Sequence, residues 1–211
     1  MEILTHGQAT VLLYAFLWLI VLANGGWIVL LVVAQGIKVE SIRLGFLAGF
    51  KLRGAAPEVR IGFMPMGASV NTTDEPEMLA RMNTAGNKLL SAGGQILLAS
   101  AVALMLVGPD AALRRLESVA IGYFPATCSP LGAGPDTLRF FWEQLRAQPG
   151  QALCMVVATI IWLNILALPF TLLQHHSEKP VGTWANIRQH AIMVPMLLHI
   201  PWIVALIYSL F

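Results

Sequence analysis

Four long stretches of this chain carry no Asp, Glu, Lys or Arg: Ile3–Ile37, Leu89–Pro109, Ala147–Ser177 and Gln189–Phe211. Each can supply the roughly 20 apolar residues that a helix needs to cross the hydrocarbon core of a bilayer. Lipid offers no partner for an exposed peptide group, so such segments are helices rather than isolated strands. The chain is 57% hydrophobic and 11% charged, against about a quarter charged in a soluble domain. The expectation is an all-α polytopic membrane protein forming a single membrane domain over residues 1–211. Its four transmembrane helices run at about 9–35, 88–108, 151–173 and 189–211. The first has no basic segment before it and is too long for a signal sequence, so it should be retained.

The charges lie between these stretches. Lys38, Arg43, Lys51, Arg53, Arg60, Arg81 and Lys88 separate the first two, Arg114, Arg115, Arg139 and Arg146 the next pair, and Lys179 and Arg188 the last pair. The N-terminal tail has neither Lys nor Arg. The positive-inside rule then puts the first and third connections in the cytoplasm and both termini outside. A formal charge of +2 is too small to suggest nucleic acid. Cys128, in the outer connection, and Cys154, inside the third span, read as free thiols.

Between the first two helices, residues 38–70 alternate as a small cytoplasmic, membrane-associated β-hairpin or sheet region would. Short strands are expected at Val39–Leu47, Phe50–Arg53 and Glu58–Phe63, with Gly54-Ala55-Ala56-Pro57 as a turn. Asn71–Asn87 is a polar, solvated connection, and Asn71-Thr72-Thr73 matches a glycosylation sequon on the wrong side of the membrane. The outer connection, 109–150, carries an amphipathic surface helix over Pro135–Gln148. There Leu138, Phe141, Trp142 and Leu145 share a face, Asp136 or Thr137 caps the start, and Pro149-Gly150 closes the end. That face is a candidate outer-surface contact for the membrane or a partner. Pro109–Ala120 is a weaker version, and Tyr123–Pro135 reads as a glycine- and proline-rich loop.

Several short motifs fall in an order that resembles the site-2 protease family of intramembrane zinc metalloproteases. Gly36-Ile37-Lys38-Val39 stands for that family's Gly-Val-x-Val turn and Leu44-Gly45-Phe46 for its Leu-Gly-Phe-Gly segment. Ile61 to Val70 stands for a strand ending in Pro-Leu-Gly-Gly-Tyr-Val. Ala92-Gly93 fits the start of its Ala-Gly-Pro-x-x-Asn motif, although Gly94 and Leu97 replace the proline and asparagine. Asn164 and Pro169 fit a segment that ends in Leu-Asp-Gly. The resemblance implies the family's membrane frame and the same orientation. It also implies that Phe63, Met64, Pro65, Met66, Gly67 and Val70 form an edge able to hold an extended peptide or a partner through its main chain.

The chemistry does not come with the frame. The positions of the zinc-binding His-Glu-x-x-His hold Asn24, Gly25 and Ile28, and those of the third ligand and its glycine hold Leu172 and Leu173. A catalytic zinc needs three protein ligands and a base beside its water, so no zinc or other cofactor is expected and the chain should not be an enzyme. Asn24-Gly25-Gly26 also has a plain reading as a packing notch, and Gln95 reads as an interhelical hydrogen-bonding residue. His175, His176 and His190 read as interfacial histidines, and the intramembrane His199 as a buried hydrogen-bonding one or a cofactor ligand. Three functions follow as expectations. One is an inactive accessory or scaffold subunit of a larger membrane complex, in a bacterial inner membrane and bound to other integral proteins and lipid. The others are a pseudoprotease that binds membrane substrates or regulates an active protease, and a redox or pigment-protein subunit using His199.

Overall fold

The computed structural model describes residues 3–47, 49–52, 54, 57–72, 84–128 and 130–175. The side chains of Met66, 123–128, 130–135 and 170–175 are not among the described features. In chain order the elements are α1 (His6–Ala34), β1 (Val39–Phe46), β2 (Phe50–Leu52), β3 (Glu58–Ile61), β4 (Met64–Thr72), α2 (Ala85–Val107), α3 (Pro109–Cys128), α4 (Pro130–Ala147) and α5 (Pro149–His175). Three of the helices, α1, α2 and the Pro149–Pro169 part of α5, are long and apolar enough to cross a membrane. The expected fourth span, 189–211, lies outside the described residues, as do His176, His190 and His199.

α1 has built ends. Thr5 and Gln8 form a capping box: the Thr5 N–H donates to Gln8 Oε1 at 2.9 Å, and the Gln8 N–H to Thr5 Oγ1 at 3.3 Å, which satisfies donors the first turn leaves open. At the other end Gly36 adopts φ +74°. Its N–H reaches Val33 O at 2.9 Å and the Ile37 N–H reaches Val32 O at 3.2 Å. This is a Schellman stop, with Ile37 and Val32 both buried as its apolar contact. The 29 residues between give about 43 Å of helix at 1.5 Å per residue.

The chain divides into two compact units, Thr10–Ala101 and Met1–Ala9 with Val102–Phe211. In the first, a four-stranded sheet runs in the order β2-β3-β1-β4. β1 pairs in parallel with β3 and antiparallel with β4, and β2 pairs antiparallel with β3. The expected hairpin is therefore a complete small sheet. Its first three strands lie within two residues of the expected bounds, and Met64–Thr72 adds a fourth that the alternation did not indicate. Register puts Phe50, Ile61, Leu44 and Ala68 in one cross-strand row and Lys51, Arg60, Arg43 and Ser69 in the next. Side chains alternate along each strand, so the rows lie on opposite faces, one apolar and one basic.

α2 closes on α1 within this unit through a glycine. A Cβ on Gly94 would stand 2.0 Å from the Trp27 indole, so only hydrogen leaves room for that ring. Trp27 Nε1 is buried with no hydrogen-bond partner among the described residues. Nearer the helix ends, Asn87 Nδ2 donates to Gln35 Oε1 at 3.0 Å.

In the other unit α3, α4 and α5 pack together around Leu145, Ala152, Leu153, Cys154, Val157, Ala158 and Ile161, all buried. Trp162 Nε1 donates to Leu116 O at 2.9 Å and Arg115 Nε to Gln151 Oε1 at 2.9 Å. Arg146, in the last turn of α4, donates from Nε to Leu4 O at 3.0 Å, and its carbonyl accepts the Leu4 N–H at 3.0 Å. Two expectations for this region are corrected. The run 123–135 is not a loop: its backbone is helical on both sides of Ser129. Pro130 takes the first position of α4, where a missing N–H costs nothing. Asp136 and Thr137 consequently lie inside α4 and do not cap it.

The two neighbouring glycines of α2 give a test. Gly93 faces open space, so Gly93→Ala should hold or raise stability by its helix propensity. Gly94→Ala should cost about 1–3 kcal/mol through overpacking against Trp27, read as a fall in Tm of the purified protein in neutral detergent.

Candidate functional site

The positions that the sequence marks for chemistry sit where α1 meets the sheet. Gly25 is buried and Asn24 and Ile28 are half-buried. A Cβ on Gly25 would lie 2.7 Å from Leu44 Cδ2 and 3.3 Å from Ala68 Cβ. The apolar face of β1 and β4 thus fills the volume into which a side chain at position 25 would grow. Within the Asn24-Gly25-Gly26 interruption, Gly25 is the notch for the sheet, while Gly26 faces open space. The notch also differs from a metal site in its donor set, since Leu44, Ala68 and Ile28 offer no coordinating atom. Among the described residues no group of three His, Cys, Asp or Glu side chains is close enough to hold a metal ion.

Two further contacts clamp the sheet along α1, one helical turn apart. The Tyr14 hydroxyl donates to Phe63 O at 2.6 Å. A Cβ on Gly45 would meet Trp18 Cη2 at 2.9 Å. Tyr14 and Trp18 meet edge to face, with centroids 6.4 Å apart, a favoured aromatic geometry. Tyr14, Trp18, Val21, Gly25, Ile28 and Val32 recur at alternating steps of four and three, so they form one stripe of the helix. From Tyr14 to Gly25 the contacts run about 16 Å along α1, well inside its apolar length.

β4 lies at the edge of the sheet, and no described residue pairs with its outer side. Its ladder with β1 is regular from Ala68 to Asn71 and shifts register before Thr72. It breaks between Leu44 and Phe46, where Pro65-Met66-Gly67 bulge and Gly67 adopts φ +75°. Proline and bulges are features of edge strands, because a central strand needs every N–H. Of the residues expected to form a binding edge, Met64 and Val70 are ladder positions opposite Phe46 and Ile42. Phe63 precedes the strand and is exposed, Pro65 is half-buried, and Gly67 belongs to the bulge. The Met66 backbone is in the strand. The structure therefore brings Asn24, Gly25 and Ile28 together with β4, in one unit.

The remaining sequence-derived positions do not join them. Leu172 lies in α5, in the other unit. The nearby Asn164 donates from Nδ2 to Ile160 O of its own helix at 2.9 Å. On α4, Leu138, Phe141 and Trp142 are half-buried, and Phe141 and Trp142 stack edge to face at 6.0 Å. Leu145 is 0% exposed. This corrects the assignment of that one residue as an outer-surface contact: Leu145 packs into its own unit, whereas Leu138, Phe141 and Trp142 remain partly accessible.

The sequence reading missed the side chains that fill the notch and the basic row on the far face. Both were written in the same alternation, Ile42 and Leu44 against Ser41 and Arg43. Which face met α1 depended on the pairing of β4. Comparison with family models, with curated proteins and with solved structures finds no match.

Placing a glutamate here should fail for steric and electrostatic reasons. Gly25→Glu would displace Leu44 and bury an unpaired carboxylate, at a cost of about 3–5 kcal/mol. Purified N24H/G25E/I28H protein should contain no stoichiometric zinc by elemental analysis. Tyr14→Phe removes one hydrogen bond and should cost about 0.5–1.5 kcal/mol in thermal unfolding.

Proposed function

We propose that this chain is a non-proteolytic, site-2-protease-like integral membrane protein that serves as an accessory or scaffold subunit of a larger membrane complex. The observation that carries this reading is the filled space at Gly25. Leu44 and Ala68 occupy the volume that a catalytic glutamate would need, on a helix whose matched positions hold no zinc ligand. The frame persists while the chemistry is absent, which is the pattern of a protein kept for what it holds.

What it holds is an extended segment of another membrane protein, added to the outer edge of β4. Strand addition draws its affinity from main-chain hydrogen bonds, and Ala68–Asn71 offers a regular run for them. The edge is clamped to an apolar helix at Tyr14, Trp18 and Gly25, so it lies beside the membrane segments of a partner. The same edge supports a second reading, a pseudoprotease that captures substrate segments or regulates an active protease. The reading places the sheet on the cytoplasmic side of a bacterial inner membrane, with both chain termini outside.

Photo-crosslinkers at Ser69 and Asn71, in native membranes, separate these readings. An accessory subunit should give one stoichiometric integral-membrane partner, and a pseudoprotease a protease or a mixture of substrates. A crosslinker at Leu97, 72% exposed on α2, should label lipid. If Ser69 and Asn71 label lipid alone, as Leu97 does, the edge binds no partner and the proposal falls.

A further inference from the structure

The face of the sheet turned away from α1 carries a second, chemically different feature. Lys51, Arg60 and Arg43 occupy one cross-strand row through the pairs Lys51↔Arg60 and Arg43↔Arg60. Neighbouring strands stand about 4.8 Å apart, and like charges directly opposite one another repel. Glu58 relieves part of this by bridging Lys51 and, at 2.6 Å, Arg60 Nε. Its carboxyl is held below the usual carboxylate range by the Lys51 hydrogen bond first and the Arg60 one second. Arg43 has no carboxylate partner among the described residues. The row thus keeps a net positive charge.

This row opens on a groove of about 350 Å³ lined by Arg43, Lys51 and Arg60 together with Leu47, Phe50 and Ile61. The surrounding end of the sheet is apolar and exposed: Phe46, Leu47, Phe50, Phe63 and Met64 are each between 44% and 63% accessible. Exposed apolar clusters of this kind mark an interaction surface. Guanidinium groups match the oxygens of a phosphodiester, and basic residues beside apolar ones suit the boundary between headgroups and acyl chains. The sheet is clamped to a membrane-length helix, so a lipid phosphate is the anion at hand.

We infer that the Lys51–Arg60–Arg43 row is a binding site for an anionic phospholipid, its phosphate on the basic row and its acyl region against Leu47 in the same groove. It lies on the opposite face of the sheet from Leu44 and Ala68 and is independent of any partner held by β4.

The test uses the full chain in neutral detergent, titrated with phosphatidylglycerol or phosphatidylcholine and read as bound lipid by native mass spectrometry. Phosphatidylglycerol should bind and phosphatidylcholine should not. R43Q/K51Q/R60Q should weaken binding about 100-fold, at about fivefold per lost charge, whereas R43K/R60K should retain it. Glu58→Gln removes the competing carboxylate and should tighten binding about fivefold. Three results would overturn the inference: equal binding of both lipids, an equal loss in the exposed-charge control K38Q/R114Q/R139Q, or displacement of the lipid by millimolar inorganic phosphate, which marks a free-anion site. The charge-preserving and Glu58 variants keep the test decisive if the triple variant does not fold.

Discussion

The contact of Leu44 and Ala68 with Gly25 is the constraint on which the described part of this protein turns. A sheet of four short strands has too little apolar area to be stable alone in water. It persists here because one face is laid on a membrane-length helix. That docking requires a position on α1 without a side chain, and Gly25 supplies it. Trp18 over Gly45 and Tyr14 bound to Phe63 then fix the angle and the register. Every later property depends on this placement: which residues form the free edge, which face carries the cations, and why no carboxylate fits in the helix.

The same contact leaves no hole beside Gly25. A cavity lined by unpaired polar groups would be costly in an apolar setting. In this chain the volume is taken by a leucine and an alanine, and a glycine on α1 admits them. α2 uses the same device against the other side of α1, where Gly94 admits Trp27. Two glycine contacts, one for the sheet and one for the neighbouring helix, thus hold this unit on α1.

Much of this was legible in the residues. Charge-free runs marked α1, α2 and α5, and Gly36 marked the end of α1 through its need for a positive φ. Alternation at Ile42, Leu44, Val59 and Ile61 marked β1 and β3. β4 was not legible from alternation, because Pro65 and Gly67 interrupt its period and Ala68-Ser69 and Asn71-Thr72 carry little apolar contrast. A strand ending at Val70 was expected only from the family resemblance. The parallel pairing of β1 with β3 was hidden as well, since neighbouring strands in sequence more often pair antiparallel. The run 123–135 misled in the opposite direction. Its glycines and prolines suggested a loop, yet Pro130 at a helix start is compatible with helix on both sides. The inward turn of Leu145 depended on α5, and an amphipathic pattern alone cannot say whether its apolar face meets lipid or protein.

The most direct test of the account is a disulfide across the central contact. A Cβ at position 25 lies 3.3 Å from that of Ala68, close to the separation that a disulfide spans. In a background with Cys128 and Cys154 replaced by serine, and with Leu44 shortened to alanine to admit the new side chain, G25C/L44A/A68C protein in native membranes should oxidise to a single intramolecular bond, leaving no thiol to alkylate under denaturing conditions. If both thiols stay free and react, the sheet does not rest on the notch of α1, and Leu44 and Ala68 do not fill it.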